Sequence, residues 1–140
     1  MPFGCFALGS GVYAGWNSQC SQGKLIKSQA EWTQIVKNAY PGYNGWRPKM
    51  SIYHGTNDQT LNYANFGEAI KEWTGVFGVS TTPSQTISNN PGSGWTKTVY
   101  GSKFEAYSNA GGTHGIQTQE GNIINFFDLK CTSNCFAHGK

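Results

Sequence analysis

Residues 49–77 constrain the fold more than any other part of the chain. Lys49-Met-Ser-Ile-Tyr-His54 is a short run bounded by Pro48 and Gly55, the pattern of a β-strand. Residues 62–77 then place Phe66, Ile70, Trp73 and Phe77 at helical spacing on one stripe, with Gly78 positioned to close the helix. A strand followed by such a helix has one economical solution: the apolar stripe is buried against a sheet face. Upstream, Ser28-Gln-Ala-Glu31 is a capping box, and Trp32, Ile35, Val36 and Ala39 continue it at helical spacing until Pro41-Gly42. Downstream, residues 79–94 are mostly Ser, Thr, Asn, Pro and Gly and read as loop. Trp95–Tyr100 and Lys103–Ser108, joined through Gly101-Ser102, predict a hairpin. A loop, Asn109–Thr113, leads to His114, and a last helix is expected over Thr118–Leu129. The order helix, strand, helix, strands, helix is α/β.

Composition excludes several classes. Charged residues are 12% of the chain, about half the usual ~25%, whereas Ser, Thr, Asn and Gln make up 44 of 140 residues. The ten Lys and Arg are scattered, so no basic patch for nucleic acid is built. Disorder is excluded by low net charge and by 5 Trp, 7 Tyr and 8 Phe. No apolar run approaches the ~18 residues of a membrane span. Low charge and 19 glycines suggest a loop-rich, exported protein, yet Met1–Leu8 is too short and lacks the basic residues of a signal peptide. Four cysteines fit two disulfides. Cys5–Cys20 is favoured as a staple across a Gly-rich stretch, and Cys131 with Cys135 forms a second possible pair. Cys131, Cys135 and His138 also read as three metal ligands, but structural zinc wants four, so no metal is assigned.

Two residues have the placement of chemical groups. Asp58 sits in His54-Gly-Thr-Asn-Asp58, the loop leaving the strand, where open α/β sheets keep their working residues. Its plainer reading is a turn residue or the cap of the helix that follows. His114 lies in the Gly-flanked loop Asn109–Gly115 after a predicted strand; its plainer reading is a surface histidine. Together they follow the order acid then His of a hydrolase triad. No serine sits in Gly-x-Ser-x-Gly: Ser10 and Ser93 are each flanked by Gly on both sides, without the elbow spacing. Ser21-Gln-Gly-Lys24 lacks its companion motifs, and Gly9-Ser-Gly11 lacks the strand and helix of a dinucleotide site. Trp16, Tyr40, Tyr43 and Trp46 could stack on a sugar or an aromatic ester, though such residues are more often core.

Arg47–Asp58, continuing through Asn62–Trp73, resembles carbohydrate esterase family one, which comprises fungal secreted acetylxylan and feruloyl esterases related to polyhydroxybutyrate depolymerases. Gly4–Ala7, Gly15–Cys20, Tyr40–Tyr43 and Thr98–Gly101 resemble further segments of it, so the likeness runs over about residues 2–129. It implies an α/β-hydrolase fold, a Ser-His-Asp triad with Asp58 as acid and His114 as base, and esters of plant polysaccharide as substrate, with no metal or organic cofactor. The family usually has Gly-His followed by Val-Pro where this chain has Thr113-His114-Gly115-Ile116. It also carries its nucleophile upstream of the segment matching residues 2–7. The expectation is therefore residues 1–129 as the carboxyl-terminal part of an α/β-hydrolase, a partial sheet with flanking helices, and residues 130–140 as a Cys-containing tail. Such a chain is inactive alone, and a missing amino-terminal half is its expected partner. The alternative is a non-catalytic remnant that binds carbohydrate.

Overall fold

The capping box at Ser28 starts a helix, α2 (Gln29–Ala39), after one short helical turn, α1 (Ser18–Ser21). Ser28 Oγ accepts from the Glu31 amide at 3.2 Å, and Glu31 Oε2 accepts from the Ser28 amide at 2.8 Å. Two amides that the first helical turn leaves open are thereby satisfied. The computed structural model describes residues 18–130; Cys5, Trp16, Cys131, Cys135 and His138, with the pairings and contacts expected of them, lie outside the described residues. Cys20 is buried and disulfide-bonded.

The long helix, α3 (Ala64–Phe77), ends at Gly78, whose φ of 69° is left-handed and lets its amide bond back to the Thr74 and Gly75 carbonyls. Its two sides bury different neighbours. Against α2 it sets Glu68, which accepts from the fully buried Trp32 indole at 2.8 Å and from the Lys27 amide at 3.0 Å. Against the sheet it turns Phe66, which clusters with Tyr100, Phe104 and Ala106 while Ile70, Trp73 and Phe77 pack around them. The predicted stripe is thus the one that faces the core.

Among the described residues, four strands form one sheet in the order β1-β4-β3-β2: β1 (Met50–Gly55), β2 (Gln85–Ser88), β3 (Trp95–Tyr100) and β4 (Phe104–Asn109). β3 and β4 make the predicted antiparallel hairpin, turning through Gly101 at φ 73°. β2 corrects the reading of residues 79–94 as loop. All four of its residues are exposed, so no alternation of apolar and polar residues marks it; pairing with β3 is what makes it a strand. The last helix, α4 (Glu120–Phe126), is shorter than Thr118–Leu129. It is tied to the foot of β1 by Lys49 Nζ, which donates to the Phe126 carbonyl at 2.8 Å.

The pairing that positions everything else is β1 with β4. They run parallel, from Met50 opposite Phe104 to Gly55 opposite Asn109. Their carboxyl ends therefore lie side by side, and the loops leaving them start as neighbours. The architecture is α/β, a mixed sheet with flanking helices.

Candidate active site

The two loops are fastened together before any side-chain chemistry begins. The Thr56 amide donates to the Asn109 carbonyl at 2.9 Å, and the Asn57 amide donates to the Gly112 carbonyl at 2.8 Å. In return, the Gly111 amide donates to Thr56 Oγ1 at 2.8 Å. The approach is so close that a Cβ on Gly55 would lie 2.2 Å from the Gly112 carbonyl oxygen. Glycine is needed at Gly55 because backbone, not a movable side chain, occupies that space.

On this platform Asp58 and His114, 56 residues apart, meet: His114 Nδ1 lies 2.9 Å from Asp58 Oδ2. Asp58 divides its two oxygens. Oδ1 accepts from the amides of Thr60 and Leu61, each at 2.8 Å, and so makes the turn that the plainer sequence reading foresaw. Oδ2 faces the imidazole. The turn and the chemical contact are one arrangement, since gripping one oxygen fixes the direction of the other. The Asp58 side chain is 5% exposed while that of His114 is 53% exposed, so the carboxylate is sheltered and the ring reaches outward. A cavity of about 120 Å³ opens here, lined by residues that include His54, Asp58, Thr113, His114 and Ile116.

Burial alone would raise the Asp58 pKa, but the Leu61 amide, the His114 ring and the Thr60 amide outweigh it and hold the carboxyl below its usual value. His54 moves the same way for a different reason: burial disfavours its cation, although the Leu61 carbonyl and the Asp58 charge oppose the shift. The signs combine simply. A histidine with a lowered folded pKa contributes stability that is complete above its unfolded value, about 6.5, and is lost as pH falls. The Asp58 contribution is complete above about 3.9 and is lost as pH drops through the lower folded value. Urea midpoints measured from pH 7.5 to 3 are therefore expected to fall in two stages, His54 first and Asp58 second. A midpoint flat across that range would contradict both assignments.

Tyr43 and Trp46 are not brought to this pair. They precede β1, and the Arg47 carbonyl is held by Lys103 at the foot of β4. That end of the sheet is opposite to the one where Asp58 and His114 sit, roughly 15–20 Å away along a six-residue strand. Tyr43 packs edge-on to Tyr40 with ring centroids 5.8 Å apart, and both rings are exposed. Sequence reasoning also missed His54 and Gly55 as parts of the site. The signal for His54 was present: with a period of two, it shares a face with Met50 and Ile52, the face that packs on α3.

An acid and a histidine on loops leaving the carboxyl ends of adjacent parallel strands, with helices over the sheet, define an α/β-hydrolase-like protein. No family model matches the chain. Acetylxylan esterase A of Emericella nidulans is 41% identical over 128 residues, which cover 91% of this chain and 42% of that protein. Feruloyl esterase B of Talaromyces funiculosus is 40% identical over 132 residues, covering 92% of this chain and 37% of that one. Among solved structures, the acetyl xylan esterase from Aspergillus awamori superposes with a TM-score of 0.85 at 35% identity, covering 90% of this chain and 46% of that one. This chain is a homologue of the fungal acetylxylan and feruloyl esterases along most of its length, and it spans about two fifths of the curated relatives it matches.

Proposed function

We propose that Asp58 and His114 are the acid and base of a serine ester hydrolase that removes acetyl or feruloyl groups from xylan-type polysaccharide. The 2.9 Å approach of His114 Nδ1 to Asp58 Oδ2 carries this reading. A carboxylate can only accept, so Nδ1 holds the proton and Nε2 keeps its lone pair for a nucleophile. Nε2 would take the proton of a serine hydroxyl as its oxygen attacks the ester carbonyl. It would then return that proton to the departing sugar oxygen as the acyl–oxygen bond breaks. Water, deprotonated by the same nitrogen, would release the acid and restore the serine.

The names of the relatives support the substrate class. No Gly-x-Ser-x-Gly occurs in these 140 residues, so the nucleophile in this reading comes from sequence outside them, and the remainder of a hydrolase is the partner. A site outside the cell fits the low charge and the disulfide at Cys20. The chain alone is expected to show no turnover of p-nitrophenyl acetate and no labelling by a serine-directed phosphonate. Joined to a segment that supplies the elbow serine, it should gain both. Turnover by the chain alone that disappears in His114→Ala would contradict the nucleophile's being external. A joined protein that binds xylan but neither labels nor turns over would instead support a carbohydrate-binding remnant.

A further inference from the structure

His54 stands beside the pair without touching His114. It is the fifth residue of β1, is 7% exposed, and has its ring edge-on to those of Tyr63 and Phe66, at 5.7 and 6.1 Å. Its Nε2 lies 2.9 Å from the Leu61 carbonyl and 3.4 Å from Asp58 Oδ2. Both neighbours are acceptors, so the ring carries its proton on Nε2. The contact to Leu61 matters because of what the other end of that residue does. The Leu61 amide, with that of Thr60, grips Asp58 Oδ1. The imidazole thus closes the loop from His54 to Leu61 at its far end, and the closed loop presents the two amides that set the Asp58 rotamer. Without the N–H at this point, the Leu61 carbonyl would lose the only side-chain donor bonded to it among the described residues.

We propose that His54 is a positioning residue for the acid: its neutral imidazole closes the acid loop through Leu61 and so turns Asp58 Oδ2 toward His114. This rests on the reading of Asp58 and His114 as acid and base. Among the described residues, the titratable groups facing His54 are Asp58 from its own loop, Tyr63 from the approach to α3, and His114 from the loop after β4. Tyr63 is engaged with Ser108 of β4, so it does not compete for Nε2.

Two variants of the chain separate this role from mere packing. His54→Gln puts an amide N–H near the position of Nε2, and His54→Phe keeps an aromatic ring but offers no donor. Imidazole nitrogen shifts report the His114 tautomer, and carboxyl carbon shifts report the Asp58 titration. Wild type and His54→Gln are expected to keep the proton of neutral His114 on Nδ1 and the Asp58 midpoint low. His54→Phe should lose the fixed tautomer and move the Asp58 midpoint up toward the ordinary value of about 3.9. A folded His54→Phe that matches wild type in both readouts would overturn the proposal. If that variant does not fold, wild type still decides. The proton of His54 must be on Nε2 and its titration midpoint below about 6.5, and either result reversed overturns the role. None of these measurements uses ester chemistry. Should they come out as expected while Asp58→Asn leaves a complete esterase unimpaired, the positioning role stands and the acid role falls.

Discussion

Asp58→Asn, in a protein that carries the nucleophile, is expected to lower kcat about 10⁴-fold with little change in KM, as loss of a triad carboxylate does. The structure says why so conservative a change is so damaging here. The amides of Thr60 and Leu61 both point at Oδ1 and demand an acceptor there. An asparagine must therefore put its carbonyl oxygen toward them and its NH2 group toward His114. Facing a donor, Nδ1 of His114 gives up its proton and accepts, and the proton of the neutral ring moves to Nε2. That nitrogen can no longer take a proton from a hydroxyl. Initial rates on an aryl acetate and on acetylated xylan measure the loss. A fall of less than tenfold would remove Asp58 from the chemistry.

Gly55→Ala is expected to cost about 10²-fold in rate, less than Asp58→Asn but without altering a single reacting group. The new methyl would lie 2.2 Å from the Gly112 oxygen and 2.4 Å from its carbonyl carbon. That oxygen is also the acceptor for the Asn57 amide, so the His114 loop must move away and break the fastening between the loops. Displacing the imidazole by about 1 Å costs on the order of 10²-fold in rate. Forcing an extra carbon into filled space costs about 1–3 kcal/mol of stability. Gly67→Ala serves as the control. Gly67 is an exposed position within α3, with nothing within 4 Å of a new Cβ, and alanine there should stabilise by about 0.5–1 kcal/mol. Thermal melts of both variants, with kcat/KM in the joined protein, test the contrast. Equal behaviour of the two would mean that the contact between Gly55 and Gly112 does not hold the loops.

What could be read from the chain alone depends on how local its cause is. The capping box needs only Ser28 and Glu31, three residues apart, and it was legible. The α3 stripe and its Gly78 stop are likewise written in spacing, as is the hairpin around Gly101-Ser102. β2 was not legible, because four exposed residues carry no burial pattern and only the neighbouring β3 makes them a strand. Asp58 and His114 were both singled out by their place after strands. Tyr43 and Trp46 were singled out by residue type alone, and residue type does not say at which end of a sheet a ring will lie.

The sequence by itself determined the elements whose hydrogen bonds and apolar faces close within a few turns, and it marked an acid and a histidine as candidates. Only the tertiary structure decided that the two meet. Their contact depends on β1 and β4 pairing in parallel across 54 residues of chain, on Gly55 admitting the Gly112 backbone, and on His54 and Leu61 closing the acid loop. Each of these is a long-range fit or a choice of rotamer. Such choices are set by what surrounds a residue in space, which its neighbours along the chain do not encode.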